Sequence, residues 1–225
     1  MILSLETSTE VCSVAVHNQG QLVAERESLD AYSHAEKLAP LIDEILADNN
    51  IKRGELSAVA VSAGPGSYTG LRIGTSTAKG LCYALNIPLI TISTLESMLE
   101  GIEHGNENHL LCPMLDARRM EVYCLLADSN DHIILDTHAK IIDNTSFSDY
   151  LSTKKISFYG NGAEKCKQVI PSENAIFIDA VKPSAINIGT LASIKYQKND
   201  FADLGNFEPD YLKAFRAIPA KNPLL

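Results

Sequence analysis

Gly64-Pro65-Gly66-Ser67-Tyr68-Thr69-Gly70-Leu71-Arg72-Ile73-Gly74 is the stretch on which the fold turns. Ala58 to Val61, just before it, is an apolar run of the kind that forms a buried strand. Thr75 to Leu85, just after it, reads as a helix. Strand, glycine loop, helix is a layout that aims backbone N–H groups and a helix N-terminus at an anion. Gly64, Gly66, Ser67 and Thr69 are therefore the candidate contacts to an anion or nucleotide. Two nucleotide motifs are excluded. A Walker loop needs a glycine where Thr69 stands, and the last gap of a G-x-G-x-x-G fingerprint is one residue too long here.

The same glycines have a second reading. Gly66, Gly70 and Gly74 recur every four residues, and Ala78 and Cys82 continue the row. That is one small-residue stripe along a helix. Each interior glycine costs about 1 kcal/mol relative to alanine, so something must approach the backbone closely. The candidates are the chain's own sheet, at the loop end, and a partner helix, along the later turns.

Working outward, the chain reads as two similar halves. Ile2 to Glu6, Val11 to Val16 and Gln21 to Glu27 read as strands, the last two joined by a three-residue loop, Asn18-Gln19-Gly20. A helix from Ser33 to about Asp48 opens on a Ser33–Glu36 capping box and carries Leu38, Leu41, Ile42, Ile45 and Leu46 on one face. Pro40 kinks it or delays its start. The buried strand, the glycine loop and the second helix follow, then a strand from Leu89 to Ile92. Beyond the polar segment His104-Gly105-Asn106-Glu107-Asn108 the pattern restarts. Leu110 to Leu115, Val122 to Ala127, Ile133 to Ile142, Ser157 to Tyr159 and Ala175 to Ile178 read as strands, with helices from Ala163 and from Asn187 to Tyr196. Three meandering strands, then helix, strand, helix, strand, is the order of a ribonuclease H-like unit. The expected fold is α/β, with two such units in tandem at 1–105 and 106–225, as in the ASKHA superfamily of actin, Hsp70 and sugar kinases.

Composition narrows the function. No window reaches the roughly 18 apolar residues of a membrane span, and the N-terminus lacks the basic region of a signal peptide, so a cytoplasmic protein is expected. The five cysteines, Cys12, Cys82, Cys112, Cys124 and Cys166, are scattered and form no C-x-x-C pair. They read as free, small core residues. A net charge of −9 and a pI near 5.1 argue against tight RNA binding by this chain alone. Its basic doublets are Lys52-Arg53, Arg118-Arg119 and Lys154-Lys155.

The glycine loop is similar to the signature of the TsaB (YeaZ) family. The resemblance extends to Leu3-Ser4-Leu5-Glu6-Thr7-Ser8-Thr9, to Ser33-His34-Ala35-Glu36 with Leu38-Ala39-Pro40-Leu41-Ile42, and to Lys79-Gly80-Leu81 through Pro88-Leu89-Ile90. It continues in Asp116-Ala117-Arg118-Arg119-Met120-Glu121-Val122-Tyr123 and in Pro209-Asp210-Tyr211-Leu212. The resemblance implies a non-catalytic partner of TsaD in bacterial tRNA threonylcarbamoyladenosine synthesis, working with the P-loop ATPase TsaE. It implies that the two N-terminal helices bundle with those of TsaD, through Leu38, Leu41, Ile45, Gly70, Gly74, Ala78 and Leu81. No cofactor is expected on this chain alone, since ATP and a metal belong to the partner subunits and tRNA is reached through the complex. A homodimer is open to the isolated chain. The alternative, from another class, is an ATP-dependent small-molecule kinase of the ASKHA type.

The chemistry favours the silent reading. Active ASKHA phosphotransferases place an Asp and then glycines after the first strand; here Glu6 precedes Thr7-Ser8-Thr9. Glu6 reads as a carboxylate bonded to nearby N–H or hydroxyl groups. The H-x-x-x-H metal motif of TsaD falls on Thr94 and Met98, and neither suits a transition metal. His17, His104, His109, His132 and His138 read as surface residues, and His34 as a packing or interface residue. Ser67 lacks an assignable His and acid and reads as a turn former. The Asp116–Arg119 turn reads either as a solvated salt-bridged turn or as a contributor to the cleft, and Gly160-Asn161-Gly162 falls where ASKHA kinases contact adenosine.

Overall fold

A computed structural model describes residues 1–29, 34–102 and 106–213. Strands β1 (Ile2–Glu6), β2 (Cys12–Asn18) and β3 (Gln21–Ser28) form a meander, followed by α1 (His34–Asp48), β4 (Ala58–Gly64), α2 (Tyr68–Leu85), β5 (Leu89–Ser93) and the single turn α3 (Thr94–Ser97). The second half runs β6 (His109–Asp116), β7 (Glu121–Ala127), β8 (Ile133–Ile141), α4 (Ser148–Leu151), β9 (Lys155–Tyr159), β10 (Ala175–Ile178) and α5 (Ala185–Gln197).

The strands make two five-stranded sheets, ordered β3-β2-β1-β4-β5 and β10-β9-β6-β7-β8. In each, the meander pairs antiparallel and the last two strands pair parallel. Order and strand sense are the same in both halves, so the α/β fold with tandem ribonuclease H-like sheets is borne out.

The strand period of two decides how the first sheet is covered. Leu3, Leu5, Val14, Val59 and Val61 turn toward α1 and α2 and meet Leu38, Ile42, Ile45, Ala78 and Cys82. Ile2, Ala58, Ala60, Ile90 and Ile92 turn the other way and meet Ile188 and Ala192 of α5. Thus a helix from the second half of the sequence seals the first sheet, and the Ser13 hydroxyl anchors its first turn by accepting the Ala185 N–H at 3.0 Å. Sheet two packs Leu110, Cys112, Val122 and Phe158 against Phe147, Leu151 and Ile170. All five cysteines are buried and free, as expected.

Four local expectations are corrected. The β2–β3 loop has two residues, because Asn18 pairs directly with Gln21 and the left-handed Gln19 and Gly20 make the turn. α2 begins at Tyr68, two turns before Thr75, because Ser67 caps it and the glycines dock on β1. The helix from Ala163 is one 3₁₀ turn, Glu164–Cys166. Pro171 restrains Ile170 just ahead of it, which leaves too few residues to propagate a helix. His17 is buried, not exposed. Pro40 lies inside α1, which runs on through it. The Ser33–Glu36 box, His104 and Gly105 at the end of the first half involve positions outside the described residues.

Candidate functional site

The end of β1 and the start of α2 are built as one unit. Glu6 closes β1 and is fully buried. Its Oε1 accepts the Ser8 backbone N–H at 2.5 Å and the Ser62 hydroxyl at 3.2 Å. Its Oε2 has no hydrogen-bond partner among the described residues. Loss of solvent outweighs these bonds and pushes the Glu6 pKa up. The Ser8 carbonyl accepts the Ser67 N–H at 2.6 Å. Ser67 Oγ in turn accepts the Gly70 N–H at 3.3 Å, capping α2, and the Thr7 hydroxyl donates to the Gly70 carbonyl at 2.8 Å.

The glycine stripe faces this turn. A Cβ at Gly66 would lie 2.6 Å from the Ser8 Cβ, one at Gly70 would overlap the Thr7 carbonyl oxygen, and one at Gly74 would overlap the Thr7 hydroxyl. The loop therefore grips the chain's own first turn. Of the four residues expected to meet an anion, Gly66 and Ser67 hold Ser8, Gly64 lies under the Asp210 backbone, and Thr69 is exposed.

Leu38, Leu41, Ile45, Gly70, Gly74 and Ala78 are buried within this chain, and Leu81 is half-buried. Amphipathic spacing identified the buried face of α1 and α2, which is the face toward their own sheet. The outward face of α2 consists of Thr69, Arg72, Ser76, Gly80, Tyr83 and Ala84, with Tyr83 at 83% exposure. That of α1 is small and acidic: Ala35, Ala39, Asp43, Glu44, Ala47 and Asp48.

A segment near the C-terminus ties the halves together. Lys79 donates to the carbonyls of Gly205 and Phe207 at 3.2 and 3.1 Å. The Asp210 N–H donates to the Ala63 carbonyl at 2.7 Å. The Tyr211 ring lies 4.7 Å from that of Tyr68, over which Arg72 stacks at 4.2 Å. Lys213 then reaches across to the Ala117 carbonyl at 3.3 Å and the Glu121 carboxylate. The Pro209–Leu212 motif is thus the start of a strap between the two sheets, a role that sequence spacing could not disclose.

The strap ends at the β6–β7 turn. Asp116 accepts the Arg118 N–H at 2.8 Å and binds Lys165, whose ammonium also meets the Arg119 and Glu121 carbonyls at 2.7 and 2.6 Å. Arg118 and Arg119 both have left-handed backbones, at φ 68° and 54°. Asn161 accepts the Asp116 N–H at 3.0 Å and reaches Glu10 at 3.4 Å. The turn is salt-bridged, as one reading of Asp116–Arg119 expected, and Asn161 links it to Glu10 of the β1–β2 turn.

The remaining candidates are packing residues. Thr94 and Met98 are fully buried, with Met98 in the cluster of Leu95, Leu111 and Leu115. The His34 Nε2 lies 3.2 Å from the Val11 carbonyl oxygen. Neither ring nitrogen of His17 has a partner among the described residues, and the ring fills the space where a Cβ on Gly189 would sit. Burial lowers the His17 pKa. Among the described residues no group of three His, Cys, Asp or Glu could hold a metal ion, and no helix is long and apolar enough to cross a membrane.

A family model described as TsaD, tRNA N6-adenosine threonylcarbamoyltransferase, matches residues 27–217. The tRNA threonylcarbamoyladenosine biosynthesis protein TsaB of Haemophilus influenzae is 38% identical over 122 residues, which cover 54% of this chain and 51% of that protein. The match thus spans about half the length of that relative. The protein of the same name from Buchnera aphidicola subsp. Baizongia pistaciae is 31% identical over 208 residues, covering 88% of this chain and 92% of its own. The solved structure of YeaZ from Pseudomonas aeruginosa superposes with a TM-score of 0.81 at 22% identity, covering 94% of this chain and 99% of that one, which shows a shared fold.

Proposed function

This chain belongs to the TsaB (YeaZ) family, whose named members are tRNA threonylcarbamoyladenosine biosynthesis proteins, and from that premise we propose that it is a non-catalytic subunit of a complex that modifies a tRNA adenosine. It docks on a TsaD-like subunit and, with a TsaE-like ATPase, supports transfer of the threonylcarbamoyl group. ATP and metal reside on those partners, tRNA is reached through the complex, and the complex is cytoplasmic.

The observation that carries this reading is the outward face of α2. Ser76, Gly80, Tyr83 and Ala84 form an uncharged stripe in a strongly acidic protein, and its one large side chain is almost fully exposed. An aromatic anchor among small residues suits the close approach of a partner helix. The non-catalytic part draws support from the turn after β1, which the N-terminal end of α2 occupies, and from the apolar packing of Met98.

The test is co-purification with the TsaD-like subunit of the same organism. Tyr83→Asp leaves the fold intact and abolishes co-elution. A folded Tyr83→Asp chain that co-elutes at wild-type stoichiometry sinks the docking face. Micromolar, magnesium-dependent ATP binding by the isolated chain would favour the small-molecule kinase, and a stable self-dimer through α2 would favour a homodimer.

A further inference from the structure

The β6–β7 turn holds two cations that the fold leaves unused. The acids at its ends are already neutralised, Asp116 by Lys165 and Glu121 by Lys213 of the strap. Arg118 and Arg119 are exposed between them, and neither guanidinium makes an ion pair or hydrogen bond among the described residues. In a chain of net charge −9, that is a local positive point whose flanking acids are already paired with lysines. The backbone sharpens the point. Both arginines occupy the left-handed region, which a tight hairpin turn ordinarily gives to Asn and Gly. A strained position kept by two long cationic side chains points to use of those side chains.

The shape indicates what they meet. The turn is the tip of a hairpin and both arginines are exposed on it, which suits an extended chain of phosphates better than a small anion held in an enclosed site. The strap from Asp210 to Lys213 links this tip to the start of α2, where Arg72 is exposed over Tyr68. We propose that Arg118 and Arg119 are a docking element for the phosphate backbone of RNA. They add two contacts to the complex, too few for this acidic chain to hold RNA by itself at physiological salt but enough for weak binding at low salt. The proposal rests on the reading that the chain works within a tRNA-modifying complex.

The test replaces the pair by residues that favour the same backbone, Arg118→Asn with Arg119→Gly, and by Arg118→Lys with Arg119→Lys. Circular dichroism and co-elution with the TsaD-like subunit stay unchanged in both. tRNA binding by the complex is followed by fluorescence anisotropy across a salt series. The Asn–Gly variant binds more weakly, and its slope of log affinity against log salt falls by about 1.4 to 1.8, the value for two lost phosphate contacts. The Lys–Lys variant keeps most of the slope. An unchanged slope and affinity in the Asn–Gly variant overturns the proposal. If no complex forms, the functional reading fails separately, and the isolated chain at about 20 mM salt decides the arginines: binding that is absent, or equal in the Asn–Gly variant, overturns them.

Discussion

The Thr7 hydroxyl donates to the carbonyl of Gly70 at 2.8 Å, and a side chain on Gly70 would overlap the carbonyl oxygen of Thr7 itself. The contact joins the end of the first strand to the first turn of α2. It explains why a helix tolerates glycines at a four-residue interval, since each removes a Cβ from the path of the β1–β2 turn. It also accounts for the neutral turn after Glu6: Thr7 and Ser8 serve as hydrogen-bonding partners for the helix.

Gly74→Leu tests that account. The added side chain would run into the Thr7 hydroxyl, with Val61 Cγ2 only 3.4 Å from its Cβ. Overpacking of a closed core costs about 1–3 kcal/mol and occasionally more, and a leucine with nowhere to turn belongs at the upper end. The variant melts earlier than wild type by about 5 °C or more, at about 2–4 °C per kcal/mol for a chain of this size. Thermal denaturation followed by circular dichroism measures this. A Gly74→Leu chain that melts with the wild type would mean that α2 does not sit on the Thr7 turn.

Glu6 should make the protein less stable as pH rises. Its folded pKa is raised by burial, so its stabilising contribution is complete below the ordinary carboxylate range and is lost as pH climbs through the higher folded value. Glu6→Gln removes this titration while keeping an acceptor for Ser8 and Ser62. Urea denaturation between about pH 5 and pH 8 gives a flatter stability profile for the variant. Parallel profiles in the two proteins would show that the carboxylate does not titrate there.

His17 acts at the other end of the scale. Its folded pKa is lowered by burial, so stability is complete above about pH 6.5, the ordinary imidazole value. It is lost as pH falls from there toward the folded value, because the unfolded chain takes up the proton first. The imidazole packs on Gly189, so charging it loosens α5 from the first sheet. His17→Leu, compared with wild type by urea denaturation at about pH 7.5 and pH 5.5, loses less stability on acidification, by at most about 1.4 kcal/mol, the worth of the one pH unit between about 6.5 and 5.5. An equal loss in both proteins excludes the imidazole as the cause.

Much of this molecule is written in local spacing. The two apolar strand sets, the meander before each parallel pair, and the 3.6-residue rows of Leu38, Ile42 and Ile45 follow from the number of residues per repeat in strand and helix, and they determined the α/β class and the tandem sheets. That Thr94 and Met98 are poor ligands for a transition metal was also legible, because ligand chemistry depends on residue type. Tertiary structure alone decided direction and partnership. A small-residue stripe shows that something comes close, but only the packing reveals that it is Thr7 and Ser8 of the same chain. A buried face and a partner face have the same helical period, so spacing singled out Leu38 and Ala78, while the free stripe around Tyr83 emerged once the sheet had claimed the other side. His17 resembled a surface residue because the Gly189 that receives it lies far along the sequence, in α5. Arg118 and Arg119 looked like an ordinary charged turn until Lys165 and Lys213, from remote segments, were found holding the acids on either side.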